Sequence, residues 1–175
     1  MMKKTAVLVI DMINNFNFYE GDLLLHNTKE ILSNVVKLKK YAKEHQFPII
    51  YINDHYDTWD TNYKQIAQTC SSEKNEEVIA QGIPEKEDYF IMKPQMSGFF
   101  RTPLRSLLEH LEIEHLILTG IAGNICVLFT ANDAHMRGYT IHVPPENCIA
   151  SNTDRHNKEA LKLMSEVFKA DTEAI

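Results

Sequence analysis

Five short apolar runs punctuate the chain: "TAVLVI" (5–10), "FPIIYI" (47–52), "YFIM" (89–92), "LILT" (116–119) and "TIHV" (140–143). They are continuous rather than alternating, which suits strands of a parallel sheet covered on both faces. Between them the pattern changes to helical spacing. In "NTKEILSNVVKLKKYAKEHQ" (27–46), Ile31, Leu32, Val35, Val36, Leu38, Tyr41 and Ala42 recur at that spacing, and Asn27 with Glu30 reads as a capping box. "RTPLRSLLEHLEI" (101–113) offers Thr102 as N-cap, Pro103 at the first helical position and Leu104, Leu107, Leu108 and Leu111 as an inward stripe. A helix after Gly123 stops at Gly138, and a last one from about Asp154 turns Ala160, Leu161, Met164, Val167 and Phe168 inward. Residues 53–88 are polar and uneven and read as a long excursion with one or two short helices. This alternation predicts an α/β chain: a single doubly wound, Rossmann-like three-layer domain over residues 1–175 with a mostly parallel sheet.

Such a fold makes a positional demand. The C-terminal ends of parallel strands share one edge, and ligands bind there, where the strand order reverses. Asp11 ends the first run, "NDHYDTW" follows the second, Lys93 follows the third, "GIAGNICV" the fourth and "PPENCIAS" the fifth. A carboxylate, an ammonium and the thiol of Cys126 therefore fall on one edge. A cysteine there is either a small core residue or a nucleophile. The first turn of a helix and a nearby lysine favour the thiolate. A neighbouring carboxylate can take the thiol proton during attack and return it to a leaving group. Gly120 and Gly123 allow a strained backbone close to a substrate.

Composition narrows the classes. The 175 residues carry a formal charge of −6 with no basic block, which argues against nucleic acid or an anionic membrane as partner. The three cysteines, Cys70, Cys126 and Cys148, are an odd number without a C-x-x-C pair, as suits free thiols in a reducing compartment. The apolar run at the start is too short for a signal-peptide core, and no run approaches the ~20 residues of a membrane span. The expectation is a cytoplasmic protein. No G-x-G-x-x-G follows the first strand, which disfavours a dinucleotide-dependent redox enzyme. Cys148 reads as structural and Cys70 as incidental, and His110, His115, His135, His142 and His156 show no ligand spacing.

Three segments, "AVLVIDMINNF", "KPQMSGFFRTPL" and "LTGIAGNICVLFTANDAHMRGY", occur in order at strand ends. With them the chain resembles, over nearly its whole length, the isochorismatase-like cysteine hydrolases. These include nicotinamidases, N-carbamoylsarcosine amidohydrolases and ureidoacrylate amidohydrolases. The resemblance implies Asp11, Lys93 and Cys126 as a catalytic triad, a cis peptide at Ile121–Ala122, and an oxyanion hole from the backbone N–H groups of Ala122 and Cys126. It also implies hydrolysis of a C–N bond in a small amide or carbamoyl compound, no cofactor, and a homodimer or homotetramer. Phe16, His55, Trp59 and Ile121 are candidates for the substrate pocket, the aromatic ones having core or loop packing as the alternative. The chain departs from the resemblance at Gly123, where many members carry threonine, and at Arg101, where they carry a small or polar residue. Nicotinamidases bind a metal after the second strand through an aspartate-x-histidine set with further histidines. Here the stretch reads Ile52-Asn53-Asp54-His55, with no other histidine between His45 and His110, so no metal is expected. The alternative from another class is a binding or scaffold protein of the same fold with an unreactive Cys126.

Overall fold

A computed structural model describes residues 4–58, 62–144 and 148–173. Among the described residues six parallel strands form one sheet. They are β1 (Thr5–Ile10), β2 (Ile49–Asp54), β3 (Tyr89–Lys93), β4 (His115–Ile121), β5 (Thr140–His142) and β6 (Ile149–Ala150). The order is β3-β2-β1-β4-β5, and β6 also pairs with β4. β5 and β6 pair with successive stretches of β4, so one neighbour position is shared by two short strands. The order reverses between β1 and β4, whose register runs from Thr5↔His115 to Ile10↔Gly120.

Period-two alternation divides each central strand between two cores. Ala6, Leu8, Ile10, Ile50, Ile52, Leu116 and Leu118 face one layer. There they meet α4 (Leu104–His110), α5 (Leu128–Met136) and α6 (Asp154–Glu166) through Leu104, Leu108, Ala131, Ala134, Ala160 and Met164. Val7, Val9, Ile49, Tyr51, Ile117 and Ile121 face the other layer, against Leu24, Ile31, Leu32, Val35 and Leu38 of α1 (Gly21–Glu44). Both faces of the strands are covered, which is why the runs are continuously apolar.

Several local expectations are corrected. The first helix begins at Gly21 rather than Asn27, behind Glu20 at φ 61°, with no side-chain cap. Asn27 lies within the helix and donates to the carbonyls of Ser151 (2.8 Å) and Asn152 (3.1 Å), so tertiary contacts use the amide that the capping box would have taken. α4 starts one residue late: Pro103 stands at the cap position, and Thr102 Oγ1 accepts the Leu104 N–H at 3.3 Å. The chain after Gly123 enters a wide π-helical turn (Gly123–Val127) before α5. The excursion holds α2 (Tyr63–Cys70) and α3 (Glu76–Gly82). Cys70 is not incidental, since it is buried in a small satellite core with Ile13, Ile66, Ala67 and Ile79.

Gly120 is dictated by the β1–β4 seam. Its φ is 113°, and a Cβ there would fall onto the backbone of Ile10. Gly123 is different: its φ is not positive, and the space its missing Cβ leaves is taken by the side chains of Asn157 and Ser151. The expectation of backbone freedom at Gly123 thus becomes one of close packing. Among the described residues no helix is long and apolar enough to cross a membrane.

Candidate active site

Asp11 follows β1 in the left-handed region at φ 51°, a conformation aspartate tolerates better than most residues. Its N–H donates to the Ile52 carbonyl (2.9 Å), and its Oδ1 accepts the Asp54 N–H (2.9 Å). The carboxylate is thereby fixed between the ends of β1 and β2. Asn53 reinforces this, exchanging two hydrogen bonds with the backbone of Ile13 (3.0 and 2.9 Å). Lys93, the last residue of β3, is 1% exposed and places Nζ 2.8 Å from Asp11 Oδ2. The same Nζ donates to Cys126 Sγ at 3.5 Å. Cys126 sits in the π-helical turn after β4, which is entered through a cis Ile121–Ala122 peptide. The Ala122 carbonyl accepts the N–H groups of Ile125 (3.0 Å) and Val127 (3.2 Å), closing the bend around the cysteine. Three residues far apart in sequence thus converge on the C-terminal edge of the sheet, with Asp11 and Lys93 buried and Cys126 half-buried.

The electrostatics correct one expectation. The Cys126 thiol is not pushed toward the thiolate. Burial, followed by the negative charge of Asp11, raises its pKa to about 12, and Lys93 offsets this only in part. The Lys93 ammonium loses hydration on burial, yet the charges of Asp11 and Cys126 raise its pKa above the ordinary lysine value. Charge counting explains the resting state. Ionised Asp11, charged Lys93 and a neutral thiol sum to zero, whereas loss of the thiol proton to solvent leaves a buried excess negative charge. Moving the proton from Sγ to Asp11 keeps the sum at zero, so the arrangement favours proton transfer within the cluster.

The remaining candidates are placed unevenly. Phe16 and Ile121 are fully buried in the core on the α1 side, so Phe16 takes the core role in place of a pocket wall. His55 lies in the loop after β2, where its Nδ1 accepts the Asp57 N–H at 2.9 Å. Trp59 lies outside the described residues. Cys148 is buried, with its pKa raised to about 11 by burial alone. Among the described residues no three His, Cys, Asp or Glu side chains gather as a metal site. Sequence reasoning missed Tyr56. This residue packs on the satellite core, and its phenol is held neutral first by burial and then by the charge of Asp11, with Cys126 among the smaller contributions. Its approach to the cluster comes from the turn after β2, for which the polar excursion gives no periodic signal.

The isochorismatase domain model matches residues 5–173, and the chain belongs to this family. YaaI of Bacillus subtilis (strain 168), an uncharacterized isochorismatase family protein, is 48% identical over 166 residues, covering 95% of this chain and 91% of YaaI. The N-carbamoylsarcosine amidase of Thermoplasma acidophilum is similar at a TM-score of 0.74 and 28% identity, with 98% of this chain and 96% of that one covered. The nicotinamidase SaPncA of Staphylococcus aureus reaches a TM-score of 0.74 at 26% identity, with 98% of each chain covered. The protein is accordingly a hydrolase with the three-layer α/β fold of that family.

Proposed function

We propose that this chain is a cysteine-dependent amidase acting on a C–N bond of a small amide or carbamoyl compound. The observation that carries the reading is the contact of Lys93 Nζ with both Asp11 (2.8 Å) and Cys126 (3.5 Å). The amidases among its structural neighbours support the reaction class.

In this reading the Cys126 Sγ attacks the substrate carbonyl carbon while Asp11 accepts the thiol proton, so the buried charge stays constant. The carbonyl oxygen becomes an oxyanion, held by the N–H groups of Ala122 and Cys126 on either side of the bend. Collapse breaks the C–N bond, Asp11 returns the proton to the departing nitrogen, and ammonia or an amine leaves. Water then attacks the thioester, giving its proton to Asp11. The acid is released, and the proton passes back to Sγ. Lys93 pairs with the Asp11 carboxylate between steps and stabilises sulfur as its charge develops.

The large exposed apolar side chains Met96, Phe100, Ile125, Phe129 and Met136 suit a homodimer or homotetramer, because Ile125, Phe129 and Met136 follow helical spacing. The decisive test of function is ammonia release from a panel of small primary amides and N-carbamoyl compounds. Turnover by the wild type that disappears in Cys126→Ala supports the reading. Ligand binding without turnover supports a binding protein instead.

A further inference from the structure

β3 is an edge strand, three places from β4 in the sheet, which at ~4.8 Å per strand spacing is roughly 14 Å. Lys93 at the end of β3 and Cys126 beyond β4 nonetheless meet, with Nζ 3.5 Å from Sγ. The chain after Lys93 is held by a specific anchorage. At Gly98 it packs so closely over β2 that a Cβ would lie 2.9 Å from Ile52 Cδ1. The Gly98 N–H donates to Thr130 Oγ1 of α5 at 2.9 Å. The Ser97 hydroxyl donates to Asp133 Oδ2 and accepts the Phe99 N–H at 3.2 Å. The other Asp133 oxygen takes Arg137 Nη1 at 2.7 Å, and the Arg137 guanidinium lies over the Phe99 ring at 4.9 Å. Ser97, Asp133, Arg137 and Phe99 therefore close a ring that ties the segment after Lys93 to the helix that continues from Cys126.

We infer that Asp133 is a positioning residue: by holding Ser97 it fixes the lysine-bearing segment against α5 and sets the contact between Lys93 and Cys126. It touches neither reacting group. Its effect on the thiol passes through Lys93, whose charge favours the thiolate. The inference rests on the proposed roles of Lys93 and Cys126, and the test separates the two.

The measurement is the rate of Cys126 alkylation by iodoacetamide at pH 8, read by peptide mass mapping. It is made in the wild type, Asp133→Ala, Ser97→Ala, Asp133→Asn and Lys93→Met, and in Asp133→Ala and Ser97→Ala each combined with Lys93→Met. Displacing an oriented group by an ångström costs one to two orders of magnitude in favourable cases, so about a tenfold slowing is expected in Asp133→Ala. Asp133→Asn keeps an acceptor oxygen for Ser97 and should retain the wild-type rate. In the Lys93→Met background, Asp133→Ala should slow alkylation no further, because the residue it acts through is gone. Ser97→Ala removes only a hydroxyl and reads the same link if Asp133→Ala does not fold. An equal factor in both backgrounds, no slowing, or an acceleration overturns the inference. If Lys93→Met slows alkylation but the Asp133 and Ser97 variants do not, the inference alone fails. If Lys93→Met changes nothing, the proposed role of Lys93 fails and the inference falls with it.

Discussion

The Lys93 ammonium lies 2.8 Å from the Asp11 carboxylate, and neither residue is more than 5% exposed. A pair this deep has given up most of its hydration, so each charge depends on the other. Lys93→Met should therefore destabilise the fold by about 3 kcal/mol, because it leaves Asp11 charged and alone. Combining it with Asp11→Asn should recover much of the loss. Urea titrations of the two single variants and the double variant check this, and additive losses would contradict it.

Thiols held neutral by burial should make the fold sensitive to alkaline pH. Burial is the first cause of the raised pKa at Cys126 and Cys70, both to about 12, and at Cys148, to about 11, from an ordinary value of 9.0. A group that holds its proton more tightly when folded contributes stability that is complete below the unfolded pKa. That contribution is lost as pH rises toward the folded value. The melting temperature should be flat with respect to these thiols up to about pH 9 and fall between about pH 9 and 12. Cys148→Ala should reduce the slope of that fall in thermal scans, and an unchanged slope would argue against buried neutral thiols.

Gly120 should not tolerate a side chain. At φ 113°, with Ile10 backbone against it, alanine forces β1 and β4 apart where Asp11 and the cysteine bend originate. Gly120→Ala should cost about 4 kcal/mol or more, at the upper end of single substitutions. Gly138→Ala should cost less, since nothing lies within 4 Å of its Cβ position and only the positive φ is strained. Denaturant midpoints of the two variants make the comparison.

The exposed apolar side chains give the oligomer its own test. Light scattering at micromolar concentration should return a multiple of 20.2 kDa. Phe129→Glu should lower that mass, since a charge placed in an apolar contact is left unpaired. A wild-type mass near 20.2 kDa would contradict the assembly.

Much of the fold was legible because β1, β2 and β4 are buried on both faces, and a continuous apolar run leaves little choice. Asp11, Lys93 and Cys126 were legible as a set because the fold sends strand ends to one edge. The start of α1 was not, since Glu20 enters the helix with a left-handed backbone and without a side-chain cap. β6 escaped notice because two residues carry no periodicity. The Cys126 pKa could not be read from position alone: a helix start and a lysine suggest a thiolate, while burial and Asp11 outweigh both. The Ser97–Asp133 link joins segments 36 residues apart and leaves no local pattern.

The central claim is that Cys126 carries the acyl group during turnover. Acid quenching of the wild type while it hydrolyses an amide from the panel, followed by peptide mass mapping, tests it most directly. The account predicts the substrate's acyl group on the peptide containing Cys126. It predicts no adduct and no turnover in Cys126→Ala, nor in Asp11→Asn, whose amide cannot relay the proton. Turnover that persists undiminished in Cys126→Ala, or acylation found only on Cys70 or Cys148, would contradict it.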